Sequence, residues 1–370
     1  MRSNARKDST LTAEFQDPSS TLPPRGSAVR VAPLPTDWAD CSVNDETREL
    51  VTRLNAAIEA AATQTFRAAP FHADYGVEHV LIVGSTSRGT YAMLPVDFDL
   101  AVLTERRQKD IPEVALQRVT DELVENISVA PVFAEYCDAI YSSERAALEI
   151  PSITLASLGL RGTESLVARY DLSFGSTVES SRSGFLDVTC GQLPHLIGYE
   201  TNMCQLFDRL GPTTAKRVRQ EIGLAKIVFG KAEGIYGSKE RGLRGHGVEQ
   251  LIIQSVEYRQ SGETAGSFDN ALRLILEKGT MARSGEVLKV RRFEDFKKDC
   301  PLWRPGGGDR EGNPVNLWNL LGDGVEAAAE ERWRRLVNVA IAYDICTSGD
   351  QPWSIENVVA TMHARMTSNL

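Results

Sequence analysis

Residues 81–103 read LIVGSTSRGTYAMLPVDFDLAVL, two apolar runs on either side of a short polar segment. The first run is rich in β-branched residues and ends at Gly84, and the second opens on Asp97 and Asp99. Such runs are typical of buried β-strands. Because side chains alternate along a strand, Asp97 and Asp99 share one face while the apolar residues after each of them point to the core. The pattern predicts two strands whose tips carry a polar turn, residues 84–90, and a pair of carboxylates.

The chemistry of this segment indicates a metal and a phosphate. Asp97 and Asp99 repel each other on one strand face unless a cation lies between them, and carboxylate oxygens are ligands that Mg²⁺ prefers. The backbone N–H groups at Gly84 and the Ser85 hydroxyl can receive phosphate oxygens. In-line displacement at two metals needs a third carboxylate, which the strand-like run GFLDVTC supplies in Asp187. A lone DxD strand more often faces solvent, but its conjunction with the Gly-Ser turn predicts a nucleotidyl-transfer site.

The pattern of the chain changes near its middle. In the first half, two helical periods alternate with the strand-like runs VEHVLIVG, DFDLAVLT, ITLASL, SLVARYDLSF and GFLDVTC, and in the second half helical periods dominate. We predict an α+β fold in which a mixed-sheet catalytic domain over residues 39–195 is followed by a mainly helical nucleotide- and acceptor-binding domain over residues 196–370. Residues 1–38 are rich in Ser, Pro, Arg and Thr without a period, and we predict a disordered tail there.

Composition excludes several classes of protein. No apolar run approaches the roughly 18–20 residues that a membrane helix needs. The six cysteines are scattered without a CxxC pair, which argues against a disulfide framework or a structural zinc site. The first residues lack the apolar core of a secretory signal, so we expect a cytoplasmic protein. A net charge of −9 disfavours a protein that coats long nucleic acid by charge, although a local basic groove is compatible with it.

The polar turn and the strand after it resemble the signature of the polymerase-β-type nucleotidyltransferase superfamily, with GSTSRGT at 84–90 followed by DFDL at 97–100. Within that superfamily the chain most resembles the class I, archaeal-type CCA-adding tRNA nucleotidyltransferases, with the oligoadenylate and cyclic-oligonucleotide synthases further off. Weaker matches continue in the family's order. They are DVTC at 187–190, Asp208-Arg209, the helical segment 224–237 that ends in Tyr-Gly, GLRGHGVEQL at 242–251, GSF at 266–268 and NPVNLWN at 313–319.

This resemblance implies an enzyme that moves NMP from an NTP, ATP first among the candidates, to a hydroxyl acceptor and releases pyrophosphate. It implies a nucleotidyltransferase palm that binds the NTP against the helical domain. Asp97 and Asp99 would bind two Mg²⁺ ions, and Asp187 would complete the ion that activates the acceptor hydroxyl. All three carboxylates are therefore expected both as metal ligands and as catalytic residues.

The resemblance also assigns residues to the triphosphate. Ser85, Arg88 and Thr90 would hold the β- and γ-phosphates together with the backbone at Gly84. From the second domain, the family's pattern places Lys226 and Tyr236 near the triphosphate. For Tyr236 the sequence is equally compatible with stacking on a base and with packing between helices.

The chain departs from the family at positions that serve tRNA. Gly-Pro-Thr-Thr at 211–214 stands where class I enzymes usually carry a histidine, Arg244 and His246 replace a serine and a tyrosine, and little chain follows the matched segments. We therefore expect an RNA or small-molecule acceptor other than ordinary tRNA. Two alternatives stay open: a synthase of cyclic or linear oligonucleotides like the oligoadenylate synthases, and an inactive module that binds nucleotides or RNA ends.

Overall fold

The computed structural model describes thirteen stretches of the chain. They are residues 33–92, 97–106, 110–132, 141–142, 147–153, 166–176, 193–232, 245–254, 267–281, 289–290, 292, 326–348 and 352–367. The predicted third-carboxylate run GFLDVTC, with Asp187, and the predicted Tyr236 lie outside these residues. In the part that is described, helices and strands follow one another in a clear order.

The helices are α1 (Trp38–Cys41), α2 (Asp45–Arg67), α3 (Phe71–Tyr75), α4 (Gly84–Arg88), α5 (Glu113–Ser128), α6 (Leu193–Lys231), α7 (Gly245–Gln254), α8 (Phe268–Gly279), α9 (Glu326–Thr347) and α10 (Ile355–Thr367). The strands are β1 (Val77–Val83), β2 (Asp97–Thr104), β3 (Tyr141–Ser142), β4 (Ala147–Ile153), β5 (Leu166–Ser176), β6 (Thr280–Met281) and β7 (Lys289–Val290). None of the helices in the described stretches is long and apolar enough to cross a membrane.

Five of the strands form one mixed sheet in the order β1-β2-β5-β4-β3. β2 and β5 run parallel, whereas β1 with β2, β3 with β4, and β4 with β5 are antiparallel. The predictions of strands at VEHVLIVG and DFDLAVLT and of a mixed sheet are confirmed. Of the predicted run ITLASL, Ile153 is the last residue of β4, and the remaining residues lie outside the described part of the chain.

One face of this sheet is covered by α2 and α5. The helix α2 begins at Asn44, whose side chain accepts a hydrogen bond from the Thr47 N–H, an arrangement that stabilises a helix start. Its apolar residues recur at helical spacing and pack with Leu100 and Val102 of β2 in one buried cluster. Leu100 is fully buried, as expected for the core face of the strand that carries Asp97 and Asp99.

The second half of the chain is built around α6. Gly211 interrupts this helix with a left-handed φ of 72°, directly before Pro212, because proline disfavours helical backbone in the residue before it. The segment after the interruption is enclosed by α7, α8, α9 and α10, and its residues 221–229 are all buried. Phe229, Phe268 and Trp333 are among the largest side chains of this core. The predicted helical second half is confirmed in the described residues.

Residues 33–37 belong to the folded part of the protein, although the sequence pattern groups them with the tail. The Trp353 indole donates a hydrogen bond to the Pro33 carbonyl at 2.9 Å, and the Thr36 N–H donates to the Trp353 carbonyl at 3.0 Å. The sequence does not predict these contacts, because an extended segment that packs on a distant part of the chain shows no periodicity of its own. The strap thus connects the start of the described chain to its last helix.

The strap also caps that helix. The Asp37 carboxylate accepts hydrogen bonds from the N–H groups of Ile355 at 2.9 Å and Glu356 at 3.1 Å. A carboxylate at a helix start pairs with donors that lack partners within the helix and interacts favourably with the helix dipole. We expect Asp37→Ala to lower the free energy of unfolding by about 1 kcal/mol. Urea denaturation measures it, with Asp40→Ala, an exposed acid on α1, as control, and equal effects of the two changes would contradict the cap.

Candidate functional site

The predicted polar turn follows β1, and its residues Gly84–Arg88 form the short helix α4; the name polar turn is kept for residues 84–90. β1 pairs with β2 so that Val83 lies opposite Asp99, and the chain then turns at Gly84 with a left-handed φ of 86°. A Cβ atom added to Gly84 would overlap the Asp99 carboxylate. The backbone at the start of the turn therefore lies directly against the carboxylate of half-buried Asp99. Glycine is required here by both the backbone conformation and the space.

This close approach makes a prediction for Gly84→Ala. The left-handed conformation costs an alanine about 1–2 kcal/mol, and the added methyl group must also displace the Asp99 carboxylate. We expect the free energy of unfolding to fall by about 2 kcal/mol or more in urea denaturation. Gly223→Ala is the matched control, because the Cβ would meet Trp38 and Ala92 at ordinary distances of 3.6 and 3.8 Å. It should be neutral or slightly stabilising, and a similar loss in both variants would contradict the prediction.

The register of the sheet places further polar residues beside the backbone of the predicted metal ligands. In the parallel pair of β2 and β5, the backbone of Asp97 lies beside that of Arg169, and the backbone of Asp99 beside that of Asp171. The backbone of Asp97 begins β2, while its side chain is outside the described part of the structure. Asp171 was missed in the sequence, although the polar alternation of Arg169, Asp171 and Ser173 could have indicated it.

At the other end of the turn, four residues form a buried group that we call the junction cluster: Arg88, Thr90, Lys226 and Glu249. One Glu249 oxygen accepts from Arg88 Nε at 2.9 Å. The other accepts from Lys226 Nζ at 2.7 Å, from Thr90 Oγ1 at 2.5 Å and from Arg88 Nη2 at 3.2 Å. The cluster therefore joins the turn after β1 to helices α6 and α7.

The electrostatics of the junction cluster favour a charged Glu249. Burial alone would raise the pKa of this carboxyl group, but the charges of Lys226 and Arg88 and the hydrogen bonds from Lys226 and Thr90 outweigh it and hold the pKa well below its ordinary value. Burial lowers the pKa of Lys226, and the adjacent Glu249 opposes that shift. Removing Glu249 would leave Arg88 and Lys226 buried without the carboxylate that both of them contact.

The backbone of the turn is held by cationic side chains as well. Four consecutive carbonyl groups, those of residues 88–91, accept hydrogen bonds from Arg48, Arg219 or Lys226. Arg219 donates to the first at 2.8 Å, Arg48 to the second at 3.4 Å and the fourth at 3.5 Å, and Lys226 to the third at 2.9 Å. The carbonyl groups of this loop are thus satisfied by helices α2 and α6.

The structure brings together some of the predicted site residues. Arg88, Thr90 and Lys226 meet in the junction cluster, and their assignment to the triphosphate stays a prediction. Gly84 and half-buried Ser85 lie at the opposite end of the same turn, beside Asp99. Sequence reasoning assigned no role to Glu249, although a lone glutamate between apolar residues in HGVEQLII signals a buried, paired charge.

The metal prediction concerns side chains that are only in part described. Among the side chains described, no group of three or more His, Cys, Asp and Glu residues could hold a metal ion. Of the predicted ligands, Asp99 is placed, and it lies against the backbone of the turn. Carboxylate oxygens fit Mg²⁺ by their chemistry.

Searches with protein-family models and among curated proteins find no match to this chain. Solved structures with a similar fold include CdnC of E. coli MS115-1 with ATP, at 15% identity and a TM-score of 0.43, over 88% of this chain and 93% of that one. Cid1, described as having RNA terminal uridylyl transferase activity, has 10% identity and a TM-score of 0.45, over 87% and 95% of the two chains.

A third similar structure is the STING-associated CdnE c-di-GMP synthase from Capnocytophaga granulosa, with 12% identity and a TM-score of 0.40, over 90% of this chain and 86% of that one. Because these identities are low, the function proposed below is derived from the residues of the site alone.

Proposed function

We propose that this protein is a Mg²⁺-dependent nucleotidyltransferase that moves NMP from an NTP to a hydroxyl acceptor and releases pyrophosphate. The observation that supports it most is the contact between the Gly84 backbone and the Asp99 carboxylate. It joins a turn suited to phosphate oxygens to a carboxylate suited to a metal ion.

In this proposal Asp97, Asp99 and Asp187 hold the metal ions, and Gly84 and Ser85 bind phosphate oxygens. Bound magnesium would polarise the phosphoryl group and favour ionisation of the acceptor hydroxyl. The carboxylates would orient the metal-bearing substrate, and the turn would hold its phosphate chain in line. The chain's own contribution is therefore placement and charge.

The third carboxylate has two candidates. Asp187 comes from the family resemblance, and Asp171 is in register with Asp99 on β5. Comparing Asp187→Asn with Asp171→Asn under saturating NTP separates them, because the ligand should lower kcat far more than the other residue.

For the acceptor we propose a hydroxyl group other than the end of ordinary tRNA. The support is the interruption of α6 at Gly211, in the segment where class I enzymes usually carry a histidine, together with Arg244 and His246. Phosphate contacts dominate the affinity for nucleic acids, so a chain that lacks part of a tRNA-docking surface should hold tRNA weakly. A small or short acceptor needs no such surface.

The experiment is incubation with each α-³²P-labelled NTP and Mg²⁺, alone and with tRNA that lacks its 3′ end. Products are separated by thin-layer chromatography and gel electrophoresis. Label incorporated from one or more NTPs, with little or no repair of tRNA, supports the proposal. Oligonucleotides formed without RNA identify the synthase alternative, efficient restoration of CCA at physiological salt overturns the proposed acceptor, and no product in any arm overturns the proposed transfer.

A further inference from the structure

We infer that Glu249 is a positioning residue of the polar turn. From α7 it binds Arg88 and Thr90 of the turn and Lys226 of α6. These contacts attach the turn to the helical half of the protein and so fix the position of the residues proposed to bind phosphate. This inference rests on the proposed function for its catalytic meaning. Glu249 itself touches no substrate in this account. It is a buried anion that pairs with three of the residues which the resemblance assigns to the triphosphate, Arg88, Thr90 and Lys226.

The charged side chains of the junction cluster are buried. Glu249 is 0% exposed, Lys226 1% and Arg88 6%, so the cluster lies beneath the surface of the site. A triphosphate could reach these cations only by opening contacts with a buried carboxylate. Separating a buried charge from its partner is strongly unfavourable. If the ion pairs of Glu249 stay intact when a triphosphate binds, no such cost arises.

All N–H donors of Lys226 already have acceptors within the junction cluster. An ammonium group has three N–H donors, and Lys226 has three acceptors: the Thr90 carbonyl at 2.9 Å, Thr90 Oγ1 at 3.4 Å and Glu249 at 2.7 Å. Lys226 therefore has no donor left for a phosphate oxygen. Its geometry is that of a side chain that fixes Thr90.

A backbone hydrogen bond connects the junction cluster to the end of the polar turn that is proposed to bind phosphate. The Thr90 N–H donates to the Ser85 carbonyl at 2.8 Å, so the residue that Glu249 and Lys226 hold is bonded directly to Ser85. The contact runs from α6 and α7 through Thr90 to Ser85 and from there to Gly84 beside Asp99. Fixing Thr90 thus orders the turn before a nucleotide arrives, and this preorganisation strengthens binding.

Four variants test the inference, and the first of them is Lys226→Met alone. Glu249→Gln keeps the volume and removes the charge, Thr90→Val removes one hydroxyl with little change of shape, and Lys226→Met combined with Glu249→Gln removes both partners of the ion pair. Glu331→Gln is the control, because Glu331 forms ion pairs with Arg334 and Arg335 at a half-exposed position on α9. Thr90→Val keeps the test decisive if the charge variants fold poorly.

Amide hydrogen exchange is the first measurement. We expect peptides that cover residues 84–92 to exchange at least tenfold faster in Glu249→Gln and in Thr90→Val than in the wild type, relative to peptides from α10. The control should match the wild type, and the Lys226→Met/Glu249→Gln double variant should exchange more slowly than Glu249→Gln alone. If residues 84–92 lose no more protection than α10 does, Glu249 serves global stability alone and the inference is wrong.

Binding of ATP with Mg²⁺, measured by titration calorimetry on folded protein, is the second measurement. Positioning predicts that Kd rises at least tenfold in Glu249→Gln and that Lys226→Met has little further effect in that background. An equal loss from Lys226→Met with and without Glu249 would show that Lys226 touches the nucleotide, which overturns the inference. If the wild type binds no NTP, the proposed function fails, and hydrogen exchange still decides whether Glu249 holds the turn.

Discussion

Replacing Asp99 by asparagine should abolish nucleotidyl transfer while it leaves the fold intact. The change keeps the volume of a side chain that lies against the Gly84 backbone and removes a charge that the proposed metal ions need. Single electrostatic groups at active sites are worth about 10²–10³ in rate, and a carboxylate that would hold the proposed metal ions should be worth at least as much. Initial rates of labelled NMP transfer at saturating NTP measure the loss.

Asp74→Asn provides the matched control for this prediction. Asp74 is an exposed carboxylate on α3, so the same chemical change there should leave the rate within a factor of two, roughly the effect of a surface substitution. Urea denaturation should show both variants as stable as the wild type to within about 1 kcal/mol. Full activity in Asp99→Asn would mean that this carboxylate holds no catalytic metal.

The sequence predicts those parts of the site that depend on patterns among neighbouring residues. The alternation in DFDLAVLT places Leu100 in the core, and the glycine after an apolar run predicts the turn at Gly84. Both features are local, because strand periodicity and the backbone freedom of glycine act over a few residues. They are also the features on which the family resemblance depends.

The parts that the sequence does not predict depend on distant partners. Glu249 is paired with Arg88, which is 161 positions away in the chain, and although its apolar neighbours indicate a buried charge, they do not identify its partner. Lys226 looks like the polar side of an amphipathic helix beside Ile222 and Phe229, but α6 is enclosed on all sides there, and so Lys226 is as buried as they are. The position of β5 between β2 and β4 is likewise set by long-range pairing.

The second large effect concerns stability: Glu249→Leu should lower the free energy of unfolding by about 3–5 kcal/mol. The leucine leaves Arg88 and Lys226 buried with like charges and without the carboxylate that neutralises them. Replacing all three charged residues together, by Arg88→Met, Lys226→Met and Glu249→Leu, should recover most of the loss, because an apolar substitute for a complete buried ion group is often neutral or stabilising. Urea denaturation at pH 7 measures both variants, and a triple variant no more stable than Glu249→Leu would contradict this account.

The difference between the wild type and Glu249→Leu should also depend on pH, with a sign that follows from the cluster. In the unfolded chain Glu249 titrates near its ordinary value of 4.5, whereas in the folded protein Arg88 and Lys226 hold its pKa well below that value. The folded state therefore binds the proton less tightly, so the stabilisation by Glu249 is complete above pH 4.5 and decreases as the pH falls toward the folded pKa. The two unfolding free energies should begin to converge as the pH falls below about 4.5, because the unfolded wild-type chain then binds a proton at Glu249 that the folded protein binds less tightly. A gap that stays unchanged down to pH 3 would show that the carboxylate contributes by its packing and not by its charge.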